Sequence, residues 1–270
     1  MPLEPQPSAR PGPSLPRIAT MTLGYLFTWL MVFMRSLGVI LQLPVLVGRP
    51  IPVTARLGIC VCLATLLAGV MPVATIPTSM LNLVGATAGE VMLGLVMGFV
   101  GRLVFSAIEM AGRLISTEIG LSAMPGLGVP EPATEPIAAL LSSFAVVLYF
   151  LFGGHQLLLS SLARSFQLTH AGSPAFDTLA AESVIRATGH VLELGLRIAA
   201  PFIAMNFLVT LAFSALGRAV PKMSVLVLSA SVRVIAGLGL LGGAGALIAR
   251  YLFSEFSQVP VRVLQLLPSH

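Results

Sequence analysis

Six long apolar segments constrain this chain more than any other feature. They lie at residues 21–47, 56–72, 80–108, 136–163, 187–216 and 223–253. At about 1.5 Å of rise per residue, each crosses or nearly crosses a hydrocarbon core about 30 Å thick. A bilayer interior gives the backbone no outside hydrogen-bond partner, so segments of this kind fold as helices. Only 9% of the 270 residues are charged and mean hydropathy is +0.97, whereas a soluble domain carries about 25% charged residues. The reading is an all-α integral membrane protein with about six long, partly broken helices in hairpins.

The remaining composition excludes several classes. Fifteen basic residues against ten acidic give a net charge of +5, but the basic residues are scattered, not gathered on one face as a nucleic-acid binder requires. Cys60 and Cys62 are two residues apart in an apolar run. On a helix they point in different directions and read as packing residues. No Walker loop, zinc spacing or nucleophile elbow is present, so no catalytic residue, metal or cofactor is expected. The four histidines are dispersed; His155, beside Gly153 and Gly154, could relay protons or simply bond a helix-end carbonyl. Residues 1–20 are Pro-rich and expected to be a disordered tail, not a cleaved signal. Residues 21–257 read as one domain and 258–270 as a C-terminal tail.

None of the six segments is a clean lipid span. Arg35, Glu90, Arg102, Glu109, Arg113, Arg197 and Arg233 fall within or beside them. Each would cost about 2.5–3.5 kcal/mol at a lipid-facing helix centre. Glu90 and Arg102 are too far apart to pair on one helix, so each needs a partner elsewhere or water. Two further Glu-before-Arg pairs, Glu182 with Arg186 and Glu193 with Arg197, sit at i,i+4. Three small-xxx-small spacings, Gly85/Gly89, Gly94/Gly98 and Gly239/Gly243, permit close helix approach. The fourth segment should break at Gly153–His155, and Pro201 should kink the fifth. Loop arginines place the first and last turns in the cytoplasm and both termini outside, although Arg10 and Arg17 argue the other way.

The most informative stretch is 101–136. On a helix from 105 to 121, Glu109, Arg113 and Thr117 share one stripe and Glu118 lies on the far side. The chain then runs through Leu121, Ser122, Ala123, Met124, Pro125, Gly126, Gly128 and Pro130, where glycine and proline forbid a continued helix. Charge alone leaves two readings open: a polar conduit, or structural salt bridges within an assembly.

With these residues in view, the chain resembles the FliR family of export-gate proteins and its injectisome counterpart SctT, over residues 21–257. The likeness is carried by residues 35–52, by 89–122 with the polar segment ending in Gly120–Leu121–Ser122, by the phenylalanine–glycine–histidine end at 150–166, and by the basic turn at 217–232. The resemblance implies FliP-like and FliQ-like halves in one chain. It implies a pore subunit in the bacterial inner membrane and the flagellar basal body, passing unfolded export substrates. Its implied partners are FliP-like, FliQ-like and FlhB-like subunits and the basal-body ring. The plug would involve Leu121, Ser122, Ala123, Met124, Pro125, Gly126, Gly128 and Pro130. Arg35, Glu90, Arg102, Glu109, Arg113, Glu118 and Arg233 would line the pore or join helices. Arg218, Pro221, Lys222 and Ser224 would form the cytoplasmic turn. The familiar Asp-Pro after Gly-Leu-Ser has Glu131–Pro132 as its nearest equivalent. An injectisome gate subunit is the alternative. A secondary transporter using Glu90 or Glu109 needs an inverted repeat that the sequence does not display, and a pore-less membrane scaffold is the third class.

Overall fold

Prolines and glycines set most of the helix ends. The structure, a computed structural model, describes residues 15–43, 52–77, 79–121, 135–176, 180–219 and 225–268. Helix α1, Leu15–Gln42, stops just before Leu43–Pro44, where a residue preceding proline resists helical geometry. Helix α2, Val53–Ala68, starts directly after Pro52. Helix α3, Met80–Ile119, is capped by the Ser79 hydroxyl, which accepts from the Asn82 N–H at 3.2 Å. Pro136 opens α4, Pro136–Leu151, where its missing N–H costs nothing. Helix α5, Gly154–Leu168, follows after Gly153 at φ 70°, and the α4–α5 pair is bent by 64°. Helices α6, Ala180–Ala219, and α7, Val225–Leu264, complete the chain.

The fold class is as expected: the described residues form helices and no strand. The break at Gly153 falls where the sequence places it. Several boundaries differ. Segment 80–108 and the polar helix expected from 105 form one 40-residue helix, because charged side chains do not interrupt the backbone ladder; only Gly120 does. Helix α2, with 16 residues, is about 24 Å long and too short to cross the core alone. Helix α1 begins at Leu15, inside the stretch read as a tail. Helix α7 runs past 257, and Val259, Val263, Leu266 and Leu267 are buried, so apolar packing holds the stretch expected as a C-terminal tail. Pro201 and Pro260 both lie within continuous helices.

Helix α3 is the axis of the bundle and packs against α1, α4, α6 and α7. Its Gly94 and Gly98 lie on α1: a Cβ on Gly94 would sit 2.2 Å from the Arg35 carbonyl oxygen. Of the three glycine spacings, this one makes a close helix crossing. Gly239 and Gly243 face open space. The buried apolar core follows α3 from Leu93 to Ile119. By contrast, α6 and α7 leave much apolar surface exposed, including Ile203, Phe207, Leu211, Ile235 and Phe253.

Candidate functional site

Helix α3 buries almost its whole circumference between Gly101 and Ile119, and what it leaves exposed is polar. Arg102, Glu109, Arg113 and Thr117 are exposed, with Ser106 half-buried among them. The spacing i, i+4, i+7, i+11, i+15 places all five within an arc of about 80° at 100° per residue. Val104, Ile108, Ala111, Ile115 and Ile119 occupy the buried faces. Arg113 donates to Glu109 across one turn at 2.6 Å, the Thr117 hydroxyl donates to the Arg113 carbonyl at 3.0 Å, and Arg102 reaches Gln42 of α1 at 3.4 Å. A lipid-facing helix carries the opposite pattern, so this stripe belongs against water or a polar neighbour. Sequence reading identified Glu109, Arg113 and Thr117 as one stripe and Arg102 as a separate site residue; helical spacing back through Ser106 was the signal that joins Arg102 to the stripe.

The stripe ends at a defined stop. Gly120 takes φ 83°, its N–H bonds the Thr117 carbonyl, and the Leu121 N–H bonds the Ser116 carbonyl at 2.9 Å. These are the two bonds of a Schellman motif, which turns the chain away from the helix axis. Leu121 is exposed. Of the expected plug, Ser122, Ala123, Met124, Pro125, Gly126, Gly128 and Pro130 lie outside the described residues, as do Pro221, Lys222 and Ser224 of the basic turn. Arg218, in the last turn of α6, is exposed.

The other intramembrane charges separate into different environments. Arg35 and Glu90 are fully buried and form a bidentate pair, Nε to Oε2 at 2.6 Å and Nη2 to Oε1 at 3.1 Å. Arg35 also donates to the Ser165 hydroxyl at 3.0 Å, the Thr169 hydroxyl at 3.3 Å and the Thr169 carbonyl at 3.2 Å. Its guanidinium lies 4.0 Å from the Phe166 ring centre. Glu90 accepts from the Gly172 N–H at 2.9 Å. Both carboxylate oxygens are therefore engaged, which leaves Glu90 as a structural anion. Glu118 accepts from the Asn206 amide of α6, and Arg233 of α7 donates to Thr210 at 3.3 Å. The predicted pairs Glu182–Arg186 and Glu193–Arg197 form, both exposed. Cys60 is buried and Cys62 exposed, neither in a disulfide. His155 packs beside Phe150, ring centres 5.4 Å apart. Among the described residues no cluster of His, Cys, Asp or Glu could hold a metal ion.

One cluster escaped sequence reading. His190 of α6 faces Glu193 through Nδ1 at 3.1 Å and Glu255 of α7 through Nε2 at 2.9 Å. Arg262 meets the other Glu255 oxygen at 3.0 Å. Glu255 is the only acid in the stretch from 225 to 268, and that isolation was the available clue.

The model of the family described as bacterial export proteins, family 1, matches residues 26–259. Flagellar biosynthetic protein FliR of Escherichia coli (strain K12) is 25% identical over 249 residues, covering 89% of this chain and 95% of that protein. The protein of the same name from Pectobacterium carotovorum subsp. carotovorum is 29% identical over 241 residues, 88% of this chain and 92% of its own. Yop proteins translocation protein T of Yersinia pestis is 28% identical over 148 residues, 53% and 56% of the two chains.

Proposed function

Because the chain belongs to the bacterial export proteins, family 1, we propose that it is a non-enzymatic, pore-forming subunit of the flagellar type III protein export gate. The observation that carries this reading is the likeness to flagellar FliR proteins along nearly the whole of both chains. The likeness to the Yersinia translocation protein covers about half, so flagellar use is preferred over the injectisome.

In this reading the α3 stripe of Arg102, Ser106, Glu109, Arg113 and Thr117 faces the passage for unfolded substrates. A passage for chains of many sequences needs a wet, sticky-free wall, and exposed polar side chains supply one. The Schellman turn at Gly120 ends the stripe, and the plug segment would be the stretch that follows it in sequence. The exposed apolar faces of α6 and α7 would be covered by FliP-like and FliQ-like subunits within the basal-body ring, and the turn from Arg218 to Ser224 would face an FlhB-like subunit on the cytoplasmic side of the inner membrane.

Cysteine crosslinking to a stalled export substrate tests the reading. Glu109→Cys, Thr117→Cys, Met124→Cys and Gly128→Cys should crosslink in the assembled gate, whereas Ile108→Cys, buried on another face of the same helix, should not. Equal labelling at Ile108 and Thr117, or none at any position while export proceeds, would remove α3 from the passage.

A further inference from the structure

A cavity of about 900 Å³ opens between the start of α6 and the end of α7, with Val100 of α3 and Leu168 of α5 at its back. Its polar lining is one-sided. Ser183, Arg186, His190, Arg262 and Gln265 face it, while no Asp or Glu is among the described residues that line it. The carboxylates that meet Arg186, His190 and Arg262, namely Glu182, Glu193 and Glu255, are not among the lining residues. A guanidinium has five N–H donors, and the hydrogen bonds from Arg186 to Glu182 and from Arg262 to Gln258, with the Arg262–Glu255 ion pair, leave donors for a further acceptor. The rest of the wall is aliphatic.

We infer that this cavity is a socket for an acidic residue flanked by apolar side chains on a neighbouring subunit of the export gate. The inference rests on the gate reading above and names the partner chemistry at one surface of it.

An anionic lipid would match the same charges, but the surroundings disfavour it. Exposed ion pairs extend along α6 from Glu182 to Arg197, about 22 Å at 1.5 Å per residue. A headgroup layer is about 5–8 Å deep on each side of the hydrocarbon. The cavity lies within this long charged belt, where acyl chains would have no hydrocarbon to enter. A protein segment carries its own apolar flanks. Exposed Ile185 and Leu192 on α6 extend the apolar surface beyond the cavity for those flanks to cover.

Ala187 lines the cavity and is half-buried, so a photo-crosslinking p-benzoylphenylalanine there reports the occupant. The chain is co-expressed with the other export-gate subunits and the purified complex is irradiated. The expected product is a peptide of another gate subunit with Asp or Glu among apolar residues. Arg186→Glu should lower its yield by about tenfold through like-charge repulsion, Arg186→Lys should preserve it, and replacing the identified acid by Lys should restore it in the Arg186→Glu background. Among the described residues Arg186 pairs with exposed Glu182 on its own helix, so these variants leave the fold intact. A complex that co-purifies but crosslinks at Ala187 only to lipid, to an exported substrate, or to nothing overturns the socket and spares the gate reading. If the subunits do not co-purify with the unmodified chain, the gate reading falls and the socket with it.

Discussion

Burying Arg35 and Glu90 takes two charges out of water at a cost of several kcal/mol per ion, which only full hydrogen bonding offsets. The pair meets that condition: bidentate contact, two hydroxyls, a backbone carbonyl, a backbone N–H and an aromatic face. What it contributes is position as much as stability, since its partners come from α1, α3, α5 and the Thr169–Gly172 turn. Glu90→Gln keeps an acceptor for the Gly172 N–H but leaves a buried guanidinium uncompensated. It should destabilise the purified protein by about 3–5 kcal/mol, read as a lowered unfolding midpoint in detergent. Adding Arg35→Met should recover most of that loss, because the remaining site is neutral. A double variant as unstable as Glu90→Gln alone would mean that the charge pairing is not what the site depends on. The need for a partner was legible in the sequence, because an intramembrane carboxylate is too costly to stand alone. The partner was not, because it lies 55 residues away and no local period connects them. Glu109–Arg113 was legible for the opposite reason: its geometry is set within one helical turn.

Close approach decides which helices form the body of the protein and which are left to neighbours. Gly94 meets the α1 backbone, where a Cβ would lie 2.2 Å from a carbonyl oxygen that cannot move without its helix. Gly94→Ala should therefore cost about 1–3 kcal/mol of stability. Gly243→Ala, with nothing within 4 Å, should leave the isolated chain's unfolding midpoint unchanged or slightly raised, since alanine is the better helix former. The comparison is made on the two purified variants under one detergent condition, and equal losses would refute the assignment of α1–α3 as the tight crossing. Sequence spacing presented these glycine pairs as equivalents. Packing separates them, and only three-dimensional neighbours carry that information. The same holds for helix length. Polar residues after 101 read as an interruption because composition changes there, yet α3 continues to Ile119, since side-chain polarity and backbone continuity are independent. Gly153, which acts on the backbone itself, was read correctly as a break, whereas Gly120 was read as part of a helix running to 121 and instead ends it at φ 83°.

At the scale of the whole molecule, helix register sets a limit on what a bilayer can cover. Ala107 and Met110 of α3 pack at Gly195, and Glu118 bonds Asn206; the constant offset makes α6 parallel to α3. On that register Phe207 lies level with the C-terminal end of α3, whereas Leu81 lies one residue into its first turn. Their separation is about 57 Å along the bundle at 1.5 Å per residue, nearly twice the hydrocarbon thickness of about 30 Å. Yet both are large, apolar and exposed, Leu81 at 81% and Phe207 at 66%. One bilayer cannot cover both, so one of the two ends must be covered by protein in the assembled state. A fluorophore placed at residue 81 or at residue 207, in nanodiscs containing bromine- or nitroxide-labelled acyl chains, distinguishes them: only one of the two positions should be quenched. The unquenched one should become protected from aqueous quenchers when the partner subunits are co-expressed, because an apolar face of that size is not left in water. Acyl-chain quenching at both positions would require α3 and α6 to slide or tilt away from the register set by Gly195 and Asn206. That would break the Glu118–Asn206 bond, and the polar stripe would no longer be held on one continuous face.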